Sequence, residues 1–292
     1  MRRSATILCS VLLAGALVRA GEGVPQLLKR GWDEYAFQTF PTAQRLFRRA
    51  LNADAATDDE KFQARYGLAM IVHYQMPGRD PAAAIPVLQA LLDDLPAGHR
   101  LRPHVLADMG ACHVETAPPD FNAGRTCYRK VLETVDGSPT IVQTTALRLI
   151  SSYLRRPSQA EFQRGTAAVA EVIPRLEGTP LESSAHGLAA LLAYQQKDIP
   201  RFAAELKAQY AAGIENIQIK ANVLFQIARV SEVELHDFKQ AERYYRMLAE
   251  QCSFDIRAHF AKLRAAELAR GKVNSDYAPP VLPEKAPAGE GE

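Results

Sequence analysis

The sequence predicts an all-α chain, a solenoid of about six antiparallel helix pairs followed by one capping helix. Three observations carry this. In residues 235–251, Phe238, Ala241, Tyr245 and Leu248 fall at i, i+3, i+7 and i+10, one face of a 3.6-residue helix. Just upstream, Phe225, Ala228, Arg229 and Glu232 have the same kind of spacing, so helix, tight polar turn and second helix fit within about 34 residues, a known repeat period. Similar pairs recur along the chain, with a small residue late in the first helix and Ala or Gly followed four residues later by a large side chain in the second. A single hairpin cannot bury its own apolar face and needs neighbours of the same shape.

Residues 25–52 form the first pair. Leu27, Leu28, Gly31, Trp32 and Tyr35 lie on its first helix, and Phe40, Ala43, Phe47, Ala50 and Leu51 on its second. Small Ala43 and Ala50 alternate with large Phe47, which lets helices approach closely on one side and interlock on the other. Residues 53–57 are a polar linker, and Asp58, Asp59 and Glu60 put negative charge in a first turn, where the helix dipole favours it. The second pair carries Phe62, Tyr66, Gly67, Leu68, Ala69 and Ile71, then a turn at residues 76–79. Asp80-Pro81 is an N-cap followed by a first-turn proline; Ala84, Leu88, Leu91 and Leu92 follow, with Pro86 expected to kink their helix. The third pair begins after Pro103, with Leu106, Met109, Gly110 and His113, then a break at Pro118-Pro119-Asp120, then Phe121, Gly124, Tyr128, Val131 and Leu132.

Ser138-Pro139 caps the fourth pair, whose first helix uses Leu147, Ile150, Ser151 and Leu154. Ser158 with Glu161 reads as a capping box before Ala168, Val172 and Leu176, and Pro174 is expected to bend that helix. Thr179-Pro180 opens the fifth pair, with His186, Gly187, Leu188, Leu191 and Leu192, then Phe202, Ala204, Leu206 and Tyr210 before a stop at Gly213. Residues 255–270 form a last amphipathic helix with Ile256, Phe260, Leu263 and Leu268 on its apolar face, expected to close the stack as a polar cap; Gly271 suits its end.

Residues 1–20 read as a secretory signal peptide: Arg2 and Arg3 precede a 14-residue apolar run, and a small-residue site places cleavage after Ala20, with Ala16 as the alternative. The run is shorter than the roughly 20 residues that span a bilayer. The expected location is periplasmic or secreted, with no stable membrane insertion after cleavage. Residues 24–270 are the repeat domain, and residues 271–292, rich in Pro, Gly, Ala and Glu, are expected to be a disordered tail. Hydrophobic residues at 47% describe a chain able to form a core. Without Arg2, Arg3 and Arg19 the chain has 32 basic residues against 33 acidic, so nothing supports binding of nucleic acid.

The pairings Gly31 with Ala43, Phe47 and Ala50, Gly67 with Ala84, Leu88 and Pro96, Gly110 with Gly124 and Tyr128, and Ala228 with Ala241 and Tyr245 follow one pattern. In these positions residues 24–270 resemble the tetratricopeptide repeat family, in an exported, bacterial-type form. The fourth and fifth pairs depart from the family pattern. The resemblance implies a right-handed superhelical solenoid whose first helices line a concave groove, and binding of partner segments in place of catalysis. Some members clamp a partner's C-terminal carboxylate with basic and asparagine side chains, and that set is not found here.

Trp32 and Tyr35 are candidate aromatic anchors in that groove, or else packing residues between the first two pairs. Arg148, Arg155 and Arg156 cluster on one first helix and could grip carboxylates, or form a solvated basic face. Cys112 and Cys127 sit on the two helices of one pair, so they form either a disulfide or two buried thiols. His104, Cys112, His113 and Cys127 match no zinc spacing, no catalytic or nucleotide-binding motif occurs, and no cofactor is expected. The function expected is that of a non-catalytic scaffold binding other proteins in the envelope or outside the cell. The alternatives are an array that binds or cleaves envelope glycans and a module that self-associates through its end helices.

Overall fold

The computed structural model describes residues 22–75, 78–134, 139–155 and 158–273. Among these are thirteen α-helices and no strand: α1 (Val24–Ala36), α2 (Phe40–Leu51), α3 (Asp58–Tyr74), α4 (Pro81–Asp94), α5 (Arg102–Glu115), α6 (Phe121–Leu132), α7 (Pro139–Leu154), α8 (Gln159–Leu176), α9 (Glu182–Gln195), α10 (Ile199–Ala211), α11 (Ile217–Val233), α12 (Phe238–Gln251) and α13 (Ala258–Ala269). The chain divides into two compact units after Ser152. Unit 1 holds α1 to α6 and most of α7. Unit 2 begins at Tyr153 and holds α8 to α13.

Local chemistry sets the helix boundaries. Asp80, Asp120, Asp198 and Asp237 each cap a second helix, accepting the amide of the residue three further on at 2.9–3.1 Å. Ser158 does the same for Glu161. Thr57, read from the sequence as linker, is the N-cap of α3 in a full capping box with Glu60: each side chain takes the other residue's amide, at 3.3 and 2.8 Å. Three turns within pairs share one backbone device. Gln38, Lys197 and His236 have left-handed φ values of 61°, 59° and 52°, and each stands immediately before the N-cap of a second helix. An L-residue there carries a cost of about 1 kcal/mol, so its recurrence at one register marks a repeated unit. Helices α4 and α8 run through Pro86 and Pro174 to Asp94 and Leu176. Met76, Pro77 and Ser138 lie outside the described residues.

In unit 1 each helix from α1 to α6 packs on the next, and α1 also touches α3. The tightest fit surrounds the fully buried Phe47 of α2. A Cβ added to Gly31 or to Gly67 would lie 2.6 Å from its ring, so the ring fills a slot that two glycines leave open on two successive first helices. Tyr128 occupies the same kind of slot at Gly110. Between them, Leu88, Leu91, Val105, Cys112, Cys127 and Val131 form an apolar cluster. Arg102, at the start of α5, donates to the carbonyls of Leu92 and Leu95 at 2.9 and 2.6 Å, satisfying the open end of α4.

Unit 2 is built around Leu224, Ile227, Ala228, Ala241, Tyr245 and Leu248. Ala241, Tyr245 and Leu248 are buried as their spacing predicts, while Phe238 is half-buried. On α11 the buried stripe is Leu224, Ile227, Ala228 and Ser231, one residue round from the expected stripe; Phe225 and Arg229 are half-buried. Glu232 is buried because it is ion-paired. The last helix departs most from expectation. It packs through Ala258, Ala261, Arg264, Ala265 and Leu268, whereas Ile256, Phe260 and Leu263 are exposed. Small side chains allow the closer approach to the preceding pair, and the large apolar ones are left facing solvent. Gly213 and Gly271 end α10 and α13 with φ of 93° and 72°, as their positions predict.

Candidate functional site

The first helices of the pairs in unit 1 are α1, α3, α5 and α7. One side chain from each joins a continuous line. The indole of Trp32 lies 5.7 Å from the ring of Tyr66. The Tyr66 hydroxyl donates to Oδ2 of Asp108. Arg148 Nη1 donates to Oδ1 of Asp108 at 3.2 Å and to the carbonyl of Ala107 at 3.4 Å. Trp32 also meets Tyr35 and Phe47 edge-on, at 5.6 and 5.0 Å, and Tyr35 meets Phe40 at 5.6 Å. Both readings of Trp32 and Tyr35 therefore have a counterpart in the geometry: the rings pack between the first two pairs, and both stay half-exposed on the first-helix face.

A second group lies alongside. Nε2 of the fully buried His73 is 3.0 Å from Oε2 of Glu115, and the same carboxylate accepts Arg79. The His73 and Tyr74 rings lie 3.9 Å apart, tilted by 35°, with the Arg79 guanidinium 5.9 Å from the Tyr74 centroid. Nδ1 of His73 has no hydrogen-bond partner.

Asp108 is the electrostatic centre of this face. Burial, then its charge and hydrogen bond, hold the Tyr66 phenol protonated far above its ordinary range. Burial and Asp108 also raise Tyr74 and bring the Cys112 thiol up to about 12. Burial alone would lower Arg148, but Asp108 outweighs it and the guanidinium is held more firmly charged. Burial brings the His73 imidazole down to about 4; Arg79 and Arg148 push the same way and Asp108 opposes.

Beside Trp32 is a cleft of about 450 Å³ between α1 and the start of α3, lined by Pro25, Leu28, Trp32, Thr57, Asp59 and Gln63 among others. Asp59 on its rim is 3.0 Å from His99 Nε2, 2.9 Å from Arg100 Nη2 and 2.6 Å from Gln63 Nε2. Although burial pulls upward, these partners lower its pKa. The cleft thus joins an apolar floor to a polar rim, the usual make-up of a binding pocket.

Arg148 is tied to Asp108, Arg155 is exposed just past the end of α7, and Arg156 lies outside the described residues. Cys112 and Cys127 are buried free thiols in one apolar cluster. Among the described residues, no group of three or more His, Cys, Asp or Glu side chains is placed to hold a metal ion, and no helix is long and apolar enough to cross a membrane. Sequence reading missed Asp108, His73, Arg79 and Glu115. The available signal was Asp108 itself, an acidic residue between Ala107 and Met109 in an otherwise apolar run.

The geometry defines the class: an all-α helical repeat. No protein-family model and no curated protein matches the sequence. Among solved structures the chain is similar to PilF of Pseudomonas aeruginosa, a tetratricopeptide-repeat protein, with a TM-score of 0.53 over 82% of this chain and 96% of that one, at 14% identity. At that identity the likeness concerns the fold, and it supports a tetratricopeptide-like repeat.

Proposed function

We propose that this chain is a non-catalytic scaffold that binds a segment of another protein on the first-helix face of unit 1, in the cell envelope or outside the cell. The supporting observation is the line Trp32, Tyr66, Asp108 and Arg148, which presents half-exposed aromatic rings and a paired guanidinium from four successive first helices. Trp and Arg are common anchors of protein interfaces, and rigid side chains lose little entropy on binding. The cleft beside Trp32 takes an apolar side chain of the partner, while Thr57, Asp59 and Gln63 meet its polar backbone. The helical-repeat fold is typical of scaffolds. The composition of residues 1–20 is what supports export.

The test is affinity capture from envelope extracts with three chains: wild type, Trp32→Ala with Gln63→Arg, and Arg49→Ala on the exposed side of α2. A specific protein retained by wild type and Arg49→Ala but lost with the cleft variant is the expected result. Equal capture by all three, or none by any, overturns the reading. N-terminal sequencing of the exported chain should find Gly21 first.

A further inference from the structure

Helix α13 closes unit 2 with its alanines. Its large apolar neighbours point outward: Phe254 is 104% exposed, Ile256 94%, Leu263 55% and Phe260 43%. The ring of Phe260 is held edge-on to Phe225 and Tyr245 at 6.2 and 5.9 Å, so its inner edge is fixed while its outer side is bare. Within unit 2, α9 packs on α10 and α11 on α12; α13 packs on α12, and no described helix follows it. The end of a helical array ordinarily presents a polar outer face, and this one sets Phe260 and Leu263 among its exposed charges.

We propose that this face docks against the same face of a second copy of the chain, the two α13 helices running antiparallel about a twofold axis between Phe260 and Leu263. Area and charge both favour that occupant. Large side chains bury about 150–250 Å² each, so these exposures leave roughly 500 Å² of apolar surface. A standard interface takes about 800 Å² from each partner, somewhat over half of it non-polar, and this patch supplies that share. A twofold axis at this point sets Phe260 against Leu263, apolar against apolar, with no like charges opposed at the centre. Glu267, one turn beyond Leu263, comes opposite Ile256 with its charge already met by Arg264 at 2.7 Å. At that end Asp255 and Arg257 neutralise each other at 2.8 Å. An isologous contact needs this self-complementarity.

The test is the mass of the full chain in solution by light scattering, from low to high micromolar concentration. Wild type should reach twice the mass of one chain. Ile256→Glu with Leu263→Glu, both at exposed sites, should return it to one chain mass with unchanged helical circular dichroism. Leu263→Cys should form an intermolecular disulfide on mild oxidation. A wild type that stays monomeric overturns the proposal, as does a dimer that survives the double substitution. Dimerisation only after removal of residues 274–292 overturns it in favour of that segment as the occupant.

Discussion

Each unit contains a tyrosine, a carboxylate and an arginine bonded across helices, and the two sets differ in exposure. In unit 1 Tyr66, Asp108 and Arg148 come from three first helices, and the arginine side chain keeps 38% of its surface in solvent. In unit 2 the Tyr245 hydroxyl donates to Glu232 at 2.9 Å and Arg264 Nε donates to the same carboxylate at 2.7 Å, with Tyr245 fully buried and the Arg264 side chain only 7% exposed. Arg264 also holds Glu267 and the carbonyl of Lys272, so it ties α11, α13 and the chain beyond α13 together. The same functional groups thus serve as an internal strut in one unit and as part of a surface in the other. What separates them is how much of the cation stays in solvent. A sealed pair is costly to break because the remaining charge is stranded, whereas a half-exposed one is rehydrated.

The comparison can be broken at its most sealed point first. Arg264→Met takes the buried guanidinium away from Glu232, and should destabilise the chain by about 3–5 kcal/mol in urea unfolding, while Glu232→Gln combined with Arg264→Met should recover most of that loss.

The pH dependence of the unit 1 face comes next. Because the folded His73 titrates at about 4, below its ordinary 6.5, the folded chain stays neutral there while the unfolded chain takes up a proton. Its contribution to stability is present above about 6.5 and lost as pH falls towards 4, amounting to about 2 kcal/mol between pH 7 and pH 5. Unfolding wild type and His73→Leu at both values should find this pH-linked loss in wild type and not in the variant.

The smallest effect is expected at the exposed arginine. Arg148→Ala should cost about 1 kcal/mol in stability, since water replaces the guanidinium beside Asp108, and should weaken partner capture by more than that change accounts for. An Arg148→Ala loss as large as that of Arg264→Met would place both sets in the same structural role.

Helical spacing made the repeat legible, and small residues made its contacts legible. Gly31 against Phe47, and Gly110 against Tyr128, are where the pattern of small and large residues predicts them, whereas Gly67, grouped with Ala84 and Leu88 of its own pair, meets Phe47 of the preceding one. Caps at Asp80 and Ser158 were equally plain, because a cap is a bond between residues three apart. The candidate site was only half legible. Trp32 and Tyr35 stand out by type, but Tyr66 and Arg148 reach Asp108 across 42 and 40 residues, and no local period encodes such a pairing. The face of α13 was misread because large apolar residues were assigned to the core, when its alanines allow the closer packing.

The ring of Phe47, held between two glycines on separate pairs, has a consequence for how this sequence can change. Positions 31, 47 and 67 share one volume, although 36 residues of chain separate the first from the last. A side chain can be gained at either glycine only in company with a smaller one at 47, so the three are open to concerted drift and closed to single steps.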